Sequence, residues 1–181
     1  DFLKTNSRKI GIDRDLSSYD ANVQVISLMQ GKDAHDLGVA FFVGLVSALL
    51  SRTIAGGLVV LGEMSIQGVL SHVEGLGDKL RVAMDSGARR VMIPTVNRKD
   101  FATLPDEARA RGIVTLSAGN AGQANAWAGR TAGVAVTVVM PAAAVRSKVD
   151  ACLGYGARVI LHGDHVGESF AEMERVRDEE G

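Results

Sequence analysis

Two short runs of the chain carry residue types that could do chemistry. The first is Lys32-Asp33-Ala34-His35-Asp36, which places two carboxylates and an imidazole just ahead of an apolar stretch, while Lys79 sits on a later amphipathic segment. An aspartate before a helix accepts hydrogen bonds from the first unpaired N–H groups and is favoured by the helix dipole, so Asp36 reads as an N-cap whatever else it does. By themselves, Lys79 reads as a solvated helix lysine, His35 as a helix-entry residue, and the Arg89-Arg90 and Arg98-Lys99 pairs as solvated loop charges. The second run is Ser117-Ala118-Gly119-Asn120, at a strand-to-helix turn whose backbone N–H groups suit an anion in the generic way of such turns. Cys152 is the single cysteine, so no internal disulfide forms, and no paired Cys/His spacing builds a zinc site.

These residues have to be placed by two kinds of sequence rhythm. Phe2 to Ile10 has helical patterning closed by Gly11, and Asn22 to Ile26 alternates as a strand should. A helix is expected from Leu37 to Leu50 and a short β-branched run at Gly57 to Leu61, after which Ser65 to Gly68 leads into a second extended piece ending near Val73. An amphipathic helix from Leu76 to Ser86 stops at Gly87, and Arg90 to Pro94 is a buried strand. From residue 104 the rhythm becomes a regular β-α alternation. Strands are expected at Gly112 to Leu116, Val134 to Met140 and Ala157 to His162, with helices at Ala121 to Thr131, Ala143 to Leu153 and Glu168 to Glu179. Apolar strands separated by helices are the pattern of a parallel sheet buried on both faces.

The chain has 181 residues, 46% of them hydrophobic, which is enough for one large domain or two small ones. A formal net charge of -1 with interspersed signs gives no field for nucleic acid or an anionic membrane surface. The apolar stretch from Leu37 to Leu50 falls short of the roughly 20 residues that span a bilayer, and no signal peptide is recognisable. A reducing cytoplasm is the expected compartment, and both ends read as cut from something longer.

Beyond these patterns, residues 20–100 resemble the proteolytic domain of Lon-type peptidases, most closely the Lon-like protein of BREX phage-defence systems. The resemblance is carried by Lys32 to Gly38, by Gly62-Glu63-Met64-Ser65-Ile66-Gln67-Gly68, by Leu76-Gly77-Asp78-Lys79-Leu80, by Gly87 to Pro94, and by Asn97-Arg98-Lys99-Asp100. The family pattern before the first helix is Lys-Asp-Gly-Pro-Ser-Ala-Gly, with the serine as nucleophile and a lysine on a later helix as its base. Lined up without gaps, the serine falls on Asp36 and the lysine on Lys79. A Ser-Lys dyad needs a neutral lysine, whereas a carboxylate beside it favours the ammonium. The resemblance therefore implies an Asp36–Lys79 ion pair and a pseudoprotease. Leu61 stands where the family tends to place a threonine.

From Leu104 onward the chain resembles the threonine/serine dehydratase branch of the pyridoxal-phosphate (PLP) enzymes. The carriers are Leu104 to Val114, Ser117-Ala118-Gly119-Asn120-Ala121-Gly122-Gln123, Val138-Val139-Met140-Pro141, Ser147-Lys148-Val149 and Gly154-Tyr155-Gly156-Ala157. The family run Ser-Ala-Gly-Asn-His-Ala-Gln is matched except at Ala121 and Gly122. The resemblance implies a vestigial cofactor site at Ser117, Gly119 and Asn120, with Asn120 at the position that hydrogen-bonds the cofactor's ring hydroxyl. The Schiff-base lysine lies upstream in that family, where this chain has Lon-like sequence, and its phosphate cradle lies far downstream. Lys148 belongs to a helix in that family and is not the Schiff-base residue. No cofactor is expected to bind, PLP being implied by the resemblance alone.

The expected fold class is α/β: a Lon-like α+β domain over residues 1–103, then three β-α units of a parallel sheet over 104–181. The leading functional expectation is a Lon-like domain without peptidase activity, serving assembly or interaction, with ring-type homo-oligomers and an upstream ATPase as the partners its ancestry implies. The alternatives are a peptidase with an unrecognised nucleophile, a PLP-dependent lyase acting on threonine or serine, and a fusion without selected function. Residues 104–131 supply helix, strand and helix in the order that closes a Lon-type domain, so they are candidates to complete that core.

Overall fold

The computed structural model describes residues 2–13, 15–16, 19–20 and 37–180. The expected strand at 22–26, His35 and Asp36 lie outside the described residues. The chain divides into two compact units, the first made of Asp1–Glu74 and Ala83–Val96 and the second of Gly75–Val82 and Asn97–Gly181.

In the first unit, helix α1 (Phe2–Asn6) runs into a 3-10 turn (Ser7–Ile10) that ends at Gly11 with φ 77°, a left-handed conformation glycine adopts without strain. Helix α2 (Gly38–Leu50) holds no charged residue, and Phe42 on it meets Phe2 with ring centroids 5.8 Å apart. Strand β1 (Leu58–Val60) pairs in parallel with β2 (Arg90–Met92), Val59 opposite Val91. Between them lies α3 (Leu76–Asp85), whose last residues belong to this unit and whose first turns belong to the second. Ser65 to Gly68, expected to lead into an extended piece ending near Val73, makes a tight reversal. Met64 and Leu70 form a single antiparallel bridge around a turn in which Gly68 takes φ 82° and donates its N–H to the Ser65 carbonyl at 2.8 Å. A left-handed residue there turns the chain back, so the apolar Ile66 and Val69 stand exposed.

The second unit is built on a three-stranded parallel sheet in the order β3-β4-β5, from β3 (Ile113–Leu116), β4 (Val136–Met140) and β5 (Arg158–Leu161). Helix α4 (Asp106–Arg111) leads into it, α5 (Asn120–Ala132) and α6 (Arg146–Gly154) make the crossovers, and α7 (Val166–Glu180) follows. The strand order follows the chain order, so the two crossovers share a face by the right-handed rule, and α5 packs against α6. Val136, Val138 and Met140 alternate along β4 toward that face, where they bury with Ala126 of α5 and with Val149 and Cys152 of α6. Val139 points the other way and is equally buried, on the side where α7 packs. Each such side chain contributes about 1.5–3 kcal/mol by leaving water.

Gly129 lets α5 lie directly on β4, because a Cβ there would overlap Val136 Cγ2 and sit 2.8 Å from the Val134 carbonyl oxygen. Upstream, α3 meets a 3-10 helix (Thr95–Thr103) at Gly77, where a Cβ would lie 2.6 Å from the Thr103 carbonyl oxygen. Leu76, Leu80, Phe101 and Leu104 are buried. Among the described residues β3 hydrogen-bonds β4 in the three-stranded sheet, while β1 pairs with β2 in a separate one.

Candidate functional site

On the Lon-like side the described part of the site is the start of α2. The Val39 N–H donates to the Gly62 carbonyl at 3.0 Å, which fixes the helix start to the segment that continues β1. Gly38 is needed for this approach, since a Cβ would come 2.9 Å from Glu63 Oε1 and 3.1 Å from the Met64 nitrogen. Among the described residues no side chain caps α2 and its first turn holds no acid, and the Glu63 carboxylate supplies negative charge where the helix dipole favours it. In the sequence Glu63 stands only within the Gly62–Gly68 run, and Gly38 is the residue that signals a close approach there. Lys79 lies half-buried on α3, its backbone N–H donating to the Gly75 carbonyl at 3.1 Å, in the stretch that belongs to the second unit. Asp36, the other member of the expected pair, is outside the described residues.

On the second side, the structure brings Ser117, Gly119 and Asn120 together at the carboxyl end of β3, where ligands of open α/β sheets usually bind. Ser117 Oγ accepts the N–H groups of Gly122 at 2.9 Å and of Gly119 at 3.3 Å, so this hydroxyl caps the first turn of α5. Asn120 Oδ1 accepts a hydrogen bond from Lys148 Nζ at 2.6 Å. The two residues open neighbouring crossovers: Asn120 is the first residue of α5 and Lys148 lies in the first turn of α6. In the sequence Lys148 reads only as a helix lysine that is not the Schiff-base residue, and its contact with Asn120 is set by where the two crossovers begin. Behind the turn, Asn125 is buried on α5 and donates through Nδ2 to Thr115 Oγ1 at 3.2 Å, while its Oδ1 has no protein partner among the described residues. Burial raises the Cys152 thiol above its ordinary value, so it stays protonated at neutral pH. Among the described residues no group of three or more His, Cys, Asp or Glu is placed to hold a metal, and no helix is long and apolar enough to cross a membrane.

Two family models match the chain. The Lon protease (S16) C-terminal proteolytic domain matches residues 1–119, and the pyridoxal-phosphate dependent enzyme family matches residues 85–181. The chain belongs to both families. Its Lon-like part is 31% identical over 107 residues to the Lon-like protease BrxL of Escherichia coli O9:H4 (strain HS), covering 59% of this chain and 15% of that protein. It is 36% identical over 104 residues to the Lon protease of Xanthomonas oryzae pv. oryzae (strain KACC10331 / KXO85), covering 57% of this chain and 12% of that one. Among solved structures, maize serine racemase is similar at 30% identity and a TM-score of 0.45, covering 48% of this chain and 26% of that one. The processed form of threonine deaminase isoform 2 from Solanum lycopersicum is similar at 29% identity and a TM-score of 0.41, covering 45% and 23%. The chain thus spans a small share of each relative's length. Because one family match ends at 119 and the other begins at 85, residues 85–119 are common to both, and the expected boundary at 104 falls within that stretch.

Proposed function

We propose that the Lon-like part, residues 1–103, is a proteolytic domain that has lost peptidase activity and is kept for assembly or interaction. The observation that supports this reading is the Lon family match over residues 1–119; the resemblance, lined up without gaps, sets Asp36 against the family's serine and Lys79 against its base. An aspartate has no hydroxyl to attack a peptide carbonyl, and its negative charge beside the lysine opposes the neutral amine that a Ser-Lys dyad needs. The Glu63 carboxylate lies against Gly38 at the start of α2. Hydrolysis of a fluorogenic peptide tests the proposal. The unmodified chain is expected to be inactive; Asp36→Ser is the variant expected to gain activity, and Lys79→Ala should abolish that gain. Serine-type hydrolysis by the unmodified chain sinks the reading.

The same ancestry supports a ring-type homo-oligomer driven by an ATPase domain upstream, working in the cytoplasm. These are proposals about a longer protein, and the coding sequence flanking this chain decides between them and a fusion without selected function. An ATPase immediately upstream favours the Lon reading, whereas a dehydratase remainder immediately downstream favours a PLP-dependent lyase.

A further inference from the structure

We infer that the Ser117–Asn120 turn is closed by the chain itself: Lys148 and Asn120 form a clasp between the starts of α5 and α6, and this clasp takes the place of a bound cofactor. The two polar side chains of the turn are both engaged internally. Ser117 Oγ accepts two backbone N–H groups of the α5 start, and Asn120 Oδ1 accepts from Lys148 Nζ at 2.6 Å. Pyridoxal phosphate does not fit this arrangement, because the lysine that reaches the turn is tied to the very asparagine the cofactor would contact.

Electrostatics explains why the clasp is needed. The first turns of α5 and α6 contain no acidic residue, while that of α6 holds Arg146 and Lys148, cations at the end of a helix that favours anions. Arg146 is compensated by Asp150 at 3.0 Å. Lys148 finds its oxygen across the sheet edge on Asn120, and in doing so ties together two crossovers that are remote in sequence. The contact is solvent-accessible, which bounds its strength to that of a surface charge-assisted pair.

The test uses the full chain and pyridoxal phosphate itself. Unfolding of the second unit, followed by Trp127 fluorescence, is expected to show the folded-to-unfolded ratio falling about 2-fold to 5-fold in Lys148→Met, with no further fall when Asn120→Ala is added. Lys148→Arg, which keeps a donor, restores most of the ratio. Asn120→Asp, which pairs a carboxylate with Lys148 and with the α5 dipole, raises it above the unmodified chain. Added pyridoxal phosphate, trapped with borohydride and mapped by mass spectrometry, is expected to give no saturable adduct. Additive effects of Lys148→Met and Asn120→Ala overturn the clasp, and a saturable adduct on Lys148 overturns the claim that the turn excludes the cofactor.

Discussion

Replacing Gly129 by alanine puts the packing of α5 on β4 to a quantitative test. In an open helix interior the change is favourable by about 1 kcal/mol, because alanine loses less backbone entropy and shields the helix from water. At this position the added methyl overlaps Val136 Cγ2 and lies 2.8 Å from the Val134 carbonyl oxygen. The helix cannot back away freely, since the Val134 N–H donates to the Gly129 carbonyl at 2.8 Å and Gly133 closes the helix with φ 67°. Overpacking of this kind costs roughly 1–3 kcal/mol, and less the propensity gain of about 1 kcal/mol this leaves Gly129→Ala destabilising the second unit by up to about 2 kcal/mol net. Trp127 is the only tryptophan and lies on the same helix, so urea denaturation followed by its fluorescence reads this unit. Gly154→Ala is the control: it ends α6 with nothing within 4 Å of a new Cβ and should be neutral or stabilising by up to about 1 kcal/mol. In a Val136→Ala background the Gly129→Ala penalty should shrink by about 1 kcal/mol. A Gly129→Ala protein at least as stable as the unmodified chain, or a penalty indifferent to Val136, refutes the packing argument.

Deleting residues 132–181 removes β4, the partner of β3, and with it the burial of α5; circular dichroism is expected to show that the product lacks a cooperative second unit, and retention of cooperative unfolding in that region would contradict the sheet pairing. Cys152 is fully buried with its thiol raised by desolvation, so a maleimide should label the native chain far more slowly than the urea-unfolded chain. The same shift makes a contribution to stability that is present below the ordinary thiol pKa and is lost as pH rises through the raised value, a dependence that Cys152→Ala should remove. Glu172 is held below the usual carboxylate range, chiefly by its hydrogen bond from Arg175. Its contribution is present above the ordinary carboxylate pKa and is lost as pH falls through the lowered value; Glu172→Gln should flatten this acid limb in a pH series of melting curves.

The β-α alternation after residue 104 was legible because β4 is apolar at nearly every position and its flanking glycines and prolines mark the ends. The observed strands lie inside the expected ones: the first residues of the runs at Gly112 and Ala157 lead into the sheet without joining its ladder. The stretch from Thr95 to Thr103 was not legible as a helix. Its Arg98-Lys99 pair reads as loop, yet Asn97 is buried with Nδ2 donating to Asp100 Oδ2 at 2.8 Å, and Phe101 is buried near α3. A 3-10 helix is held by such tertiary contacts more than by local propensity, so its residues carry little periodic signal. Chemistry divides in the same way. Ser117 as a turn residue is local and readable, whereas Lys148 meeting Asn120 depends on where two crossovers end, which no local pattern encodes. Lys79 and Asp36 were legible through family resemblance alone.

The position of β4 in the middle of its sheet governs how the second unit can be made. β3 is complete early in the chain, but its hydrogen-bonding partner ends at Met140, and β5 can add only afterwards. On a ribosome, the β3 segment and α5 therefore emerge as an apolar strand and helix with no surface to bury against until β4 follows. The face that α7 covers is closed last of all, because α7 follows β5 in the chain, and unpaired apolar strands of this kind are the ones prone to association with other chains.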